Sequence, residues 1–101
     1  MRILAIEIEK PNASPEDFKP LLEEEAKTVW KLHQEDIIRE VYFRGDKTNA
    51  VLMLECVDVE DARAKLSQLP LVSAGLISFD LIPLVPYPGY ERLFTRKNAN
   101  E

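Results

Sequence analysis

The chain has 101 residues, 46% of them hydrophobic, which suits one folded domain and is too apolar for a disordered segment. Its 13 basic residues against 18 acidic ones give a net charge of −5, the wrong sign for gripping nucleic acid. The lone Cys56 excludes an internal disulfide or a paired-cysteine motif, and no apolar run is long enough for a signal peptide or membrane span, so a cytoplasmic protein is expected.

Residues 2 to 9 alternate as a strand, with Leu4, Ile6 and Ile8 on one face and Ile3, Ala5, Glu7 and Glu9 on the other. A loop at 10 to 13 leads to Ser14-Pro15-Glu16-Asp17, a helix start with a capping Ser, Pro at the first position and acids in the first turn. Phe18, Leu22, Ala26, Val29 and His33 recur at the spacing of one buried helix face. Pro20 predicts a kink or a restart within it. Asp36 to Arg44 reads as strand, Gly45 to Thr48 as a hairpin turn, and Asn49 to Cys56 as the returning strand. Asp58 then caps a second helix that buries Val59, Ala62, Leu66 and Leu69 and stops at Pro70. A linker at 71 to 75 precedes the last strand, Leu76 to Leu84, and Pro86, Pro88 and Gly89 end regular structure. Residues 1–88 are therefore expected to form one domain. Residues 89–101 are a tail whose Arg92, Arg96 and Lys97 are too sparse for a nucleic-acid site.

Six elements in the order βαββαβ predict an α+β, ferredoxin-like domain, a four-stranded antiparallel sheet with both helices on one face. In a monomer the opposite face would meet water and read polar. It does not: Val51 and Met53 oppose Ala50, Leu52 and Leu54, and Leu76, Ile82 and Leu84 oppose Ile77, Phe79 and Leu81. A second copy is the simplest cover, which predicts a homodimer, or a higher assembly of dimers, built as a dimeric α+β barrel.

Chemistry could reside on the mixed strand faces, which carry Glu7, then Glu40, Tyr42 and Arg44, then Glu55, then Ser78 and Asp80. Strand phase suggests that these share the side away from the helices. A carboxylate among apolar neighbours has a raised pKa suited to proton transfer, and Tyr or Arg beside it can polarise an oxyanion. Exposed sheet ends, or ion pairs across a dimer, explain the same residues. His33, the only histidine, is expected to be half-buried and structural, with proton transfer as the other reading. Trp30 fills the core or meets a subunit, and Cys56 is an inert core thiol. Glu23-Glu24-Glu25 is a solvated run from which Glu25 can turn toward the sheet. One histidine makes no two-His metal set, and no Gly-rich phosphate loop or GxSxG turn occurs, so no metal or cofactor is expected.

From Leu66 to Pro88, a helix ending in Leu69-Pro70-Leu71 leads to a strand closing with Ile82-Pro83-Leu84. This resembles the muconolactone δ-isomerase-like proteins, and the element order matches from the first strand to about Pro88. Small dimeric α+β barrels such as the YciI-like proteins share the architecture, and fold does not fix function. The resemblance implies a dimeric barrel assembling further, up to a decamer. Its tail would reach a neighbouring subunit through Tyr87, Tyr90, Leu93 and Phe94. It also implies a cofactor-free isomerase that moves a proton between carbons of an unsaturated lactone. Glu25 falls where the family has a Glu on its first helix. The chain departs from the family at Val72 to Gly75, which replace an aromatic pair, and at Glu40, where the isomerase carries a His.

The leading expectation is thus an enzyme acting on a small carbonyl or lactone compound. Glu25 or Glu40 would be the base, with Tyr42, Arg44 or His33 the electrophilic partner. The rival is a non-catalytic small-ligand-binding or oligomeric accessory protein. A haem-degrading or oxygenase activity, found on similar barrels, would require a cofactor.

Overall fold

The computed structural model describes residues 1–94; Arg96 and Lys97 of the tail lie outside the described residues. Strand β1 spans Arg2–Glu9, and helix α1 spans Pro15–Phe18. The Asp17 carboxylate accepts from both the N–H and the hydroxyl of Ser14, at 3.0 and 3.1 Å. Pro20 sits in a 3₁₀ turn, Lys19–Leu21, after which α2 restarts as Leu22–Gln34. Strands β2 (Ile38–Phe43) and β3 (Ala50–Glu55) form the hairpin, and α3 spans Val59–Leu66. Asp58 caps α3 by accepting from the Asp61 N–H at 2.8 Å.

Pro70 does not stop a helix as expected. It opens a further turn, α4 (Pro70–Ser73), because a residue without an N–H fits the first helical position, where that donor has no helical partner. Strand β4 spans Ile77–Leu84, and a 3₁₀ turn (Pro88–Tyr90) and α5 (Glu91–Phe94) follow.

The sheet is antiparallel in the order β2-β3-β1-β4, which makes the fold ferredoxin-like. Pro83 lies on an edge strand, where its missing donor costs no central ladder bond. Ile3 and Ala5 of β1, Leu52 and Leu54 of β3, Leu32 of α2 and Ala62 and Leu66 of α3 form the buried core. Burying each of the larger side chains contributes roughly 1.5–3 kcal/mol.

Register sorts the remaining strand residues. Leu4 pairs with Met53 and Ile82, Ile6 with Val51 and Asp80, Ile8 with Ser78, and Tyr42 with Val51, so these share the helix-free face. Glu40, Arg44 and Glu55 follow the same phase. Glu7 does not join them: it follows Ile3 and Ala5 in phase and sits on the helix side, 8% exposed. The expectation erred because it grouped polar residues by chemistry rather than by strand phase.

Candidate functional site

At one end of the helix layer the core is incomplete, leaving a cleft of about 510 Å³ between α2 and the sheet. One wall is Leu22, Ala26, Val29, Trp30 and His33 of α2. The opposite wall is Val41 and Phe43 of β2 with Ala50 and Leu52 of β3, and Leu69, Leu71, Ile77 and Phe79 close the end. Four of the five positions predicted to form the buried stripe of the first helix are therefore a cleft wall, with Leu22, Ala26 and His33 exposed. The residue that α2 buries fully is Leu32, one position before His33. This shift leaves His33 exposed rather than half-buried. Trp30 stands at the rim, 59% exposed, its ring centroid 5.6 Å from that of His33.

Two carboxylates enter this apolar space, and each is anchored by a main-chain N–H that the fold leaves over. The β1–β3 ladder runs from Arg2–Glu55 to Ile6–Val51 and ends there. The next N–H, that of Ala50, donates instead to Oε1 of Glu7 at 2.8 Å. In α4, Pro70 has no N–H, while Val72 and Ser73 both donate to the Leu69 carbonyl. The N–H left over is that of Leu71, which donates to Oε1 of Glu25 at 3.0 Å. The Leu-Pro-Leu sequence thus supplies the anchor for Glu25. Each Oε2 lacks a hydrogen bond among the described residues. Neither is sealed in, because no enclosed side-chain oxygen there is without a partner.

Burial is the main cause raising the pKa of both carboxyls above the ordinary value, and the two main-chain N–H bonds oppose it only in part. The charge of Glu7 pushes Glu25 up further, and that of Glu9 does the same to Glu7. Repulsion between Glu7 and Glu25 is mutual and falls on whichever carboxyl takes the proton first. His33 is tethered at the rim: its Nδ1 lies 3.0 Å from the Ile38 carbonyl, which can only accept, so Nδ1 carries the hydrogen.

The other predicted site residues lie elsewhere. Glu40, Tyr42 and Arg44 are exposed on the helix-free face. The Tyr42 hydroxyl donates to Glu40 at 2.8 Å, and the Arg44 guanidinium grips Asp46 at 2.9 and 2.7 Å. The Tyr42 pKa rises and the Asp46 pKa falls for those reasons. Glu25 and His33 share the cleft; the strand trio does not. Sequence reasoning missed Glu7 as a cleft group, although its phase with Ile3 and Ala5 carried the signal. Cys56 is buried and free, and burial raises its thiol pKa, so its ionised form is disfavoured.

No protein-family model matches the chain, and no curated protein does. Among solved structures, a crystal structure of muconolactone isomerase superposes with a TM-score of 0.71, over 87% of this chain and 92% of the other. The two share one fold. At 19% identity the likeness is one of architecture, and the activity in its name belongs to that protein. Among the described residues no helix is long and apolar enough to cross a membrane.

Proposed function

We propose that this protein is a cofactor-free catalyst of proton transfer in a small carbonyl or lactone compound bound in the cleft, with Glu25 and Glu7 as its acid–base pair. The observation that carries this reading is the pair of carboxylates on the lining of one apolar cleft, each with one oxygen held by a main-chain N–H and the other without such a bond. Two such groups share a proton over a range of pH, so that one is a base while the other is a donor. The ionised member removes a proton from carbon next to the carbonyl, and the C–H electron pair flows into an enolate. The protonated member donates a hydrogen bond to the developing oxyanion. Return of the proton at a different carbon shifts the double bond and restores both carboxyls. His33, held by Ile38, borders the same space.

The proposed assembly is a homodimer, or a higher assembly of dimers, joined through the helix-free sheet face. Leu4, Ile6, Ile8, Val51, Met53 and Ile82 on that face support it. The exposed Tyr87, Tyr90, Leu93 and Phe94 support a tail that contacts a neighbouring subunit. The proposed compartment is the cytoplasm, which suits a free thiol.

The test is exchange of α-protons for deuterium in simple cyclic enones and unsaturated lactones, followed by NMR. Glu25→Gln and Glu7→Gln should each slow exchange by about 10²–10⁴-fold. The rate should be bell-shaped in pH, with both limbs above the ordinary carboxylate range. Loss of exchange in Glu40→Gln with both cleft variants active would move the chemistry to the other face. Ligand binding without exchange would favour the rival, a binding protein that uses the same apolar cleft.

A further inference from the structure

The cleft has a charge character that narrows what it can hold. Fifteen residues line it, and none is Lys or Arg; its charged groups are Glu7 and Glu25. The nearby cations are paired or placed elsewhere. Lys27 pairs with Glu24 at 3.2 Å, Lys31 reaches Gln68 at 3.0 Å and Glu35 at 3.7 Å, and Arg44 grips Asp46; Lys47, with Arg44 and the other side of Glu7, borders a separate polar cavity and is not on this lining. The main-chain N–H groups of Ala50 and Leu71, which could have received an anion, already serve the two glutamates. His33 is the one basic group on the lining, and its Nδ1–H is spent on Ile38. A carboxylate ligand entering here would lose its water, find no guanidinium or ammonium on the lining, and meet two carboxylates.

We infer that the cleft selects ligands without an anionic group: an uncharged ketone, ester or lactone on an apolar, ring-sized body, with carboxylate-bearing analogues rejected. The selection follows from the same walls. Phe43, Phe79 and Trp30 offer aromatic surface to a ring, and the open Oε2 atoms can accept from an acidic C–H or, when protonated, donate to a carbonyl oxygen. A neutral carbonyl compound with an acidic C–H can meet one ionised and one protonated glutamate at once, whereas a carboxylate offers no comparably acidic C–H and is repelled by the ionised member. This rests on the cleft being the ligand site, as proposed above, and adds the chemical class that it takes.

The test uses two nearly isosteric ligands, 4-phenylbutan-2-one and 3-phenylpropanoate, which differ in a methyl ketone against a carboxylate. Trp30 is the single tryptophan and stands on the rim, so its indole N–H resonance reports binding without any turnover. Near neutral pH the ketone should bind about tenfold tighter or better than the carboxylate. In the Glu7→Gln/Glu25→Gln double variant the gap should fall to about threefold or less, with amide dispersion showing that the fold is intact. Carboxylate binding equal to or tighter than ketone binding overturns the inference. So does a gap that survives in the double variant, or no response of Trp30 to either ligand. Deuterium exchange reads the chemistry and these titrations read the charge. Carboxylate binding therefore refutes the selectivity alone, and absent exchange refutes the catalytic reading alone.

Discussion

Glu25 occupies a partly buried position of α2, with one oxygen tied to Leu71 N–H at 3.0 Å. A folded-state pKa above the ordinary 4.5 means that the native protein keeps a proton which the unfolded chain has already released. The stabilising contribution is therefore complete below about 4.5 and is lost as pH rises through the folded value. Glu25→Gln, which keeps an oxygen for Leu71 N–H, should melt a few degrees above the parent at neutral and alkaline pH. That advantage should vanish toward pH ~4.5. Thermal melts by circular dichroism across pH check this, and a variant less stable at every pH would contradict it. A carboxylate that costs stability where it stands is a candidate for chemistry. From sequence, Glu25 was recognisable as a residue able to turn inward. Its partner Glu7 was recognisable only from its phase with Ile3 and Ala5, because the main-chain donors that hold both come from residues far along the chain.

Elements were the most legible level, because each is punctuated locally. Ser14-Pro15 and Asp58 start helices, Pro20 breaks one into a 3₁₀ turn, and Gly45 to Thr48 lie within the hairpin connection. The apolar stripe of the first helix was legible as a stripe and misplaced as core, since periodicity shows which face is apolar and not what fills the space opposite. The end of α2 held a second surprise. Asp36 has φ +64°, the left-handed geometry that closes a helix, and Ile37 N–H donates back to the Leu32 carbonyl at 3.0 Å. Aspartate tolerates this conformation at a cost that glycine avoids. Asp36→Gly should stabilise the fold by about 0.5–1 kcal/mol, net of glycine's extra freedom when unfolded. That corresponds to a rise in Tm of about 3–6 °C. A melt showing no rise would mean that the Asp side chain contributes more to the turn than the structure accounts for.

The whole molecule leaves one side of its sheet unexplained by anything within a single chain. On the helix-free face Ile8 and Tyr42 are 50% and 59% exposed, and Ile82 and Leu84 are each 36% exposed, beside Leu4, Ile6, Val51 and Met53. Several charges around this face are already partnered: the amino terminus and Arg2 with Glu55, Glu40 with Tyr42, Arg44 with Asp46; Asp80, opposite Ile6, is exposed beside them. That leaves its apolar side chains as the part that gains from a partner. A contiguous apolar patch with a polar rim resembles an interface more than an ordinary surface. If two copies meet there, Ile82→Lys should weaken association by about tenfold or more, since it places an unpaired charge in the contact. Sedimentation should show the parent as a dimer and the variant shifted toward monomer, with a Tm that depends on protein concentration only in the associating form. The cleft lies on the opposite side of the sheet, so a folded monomeric variant should still bind the neutral ketone at Trp30. Loss of that binding together with the dimer would mean that the second chain completes the site.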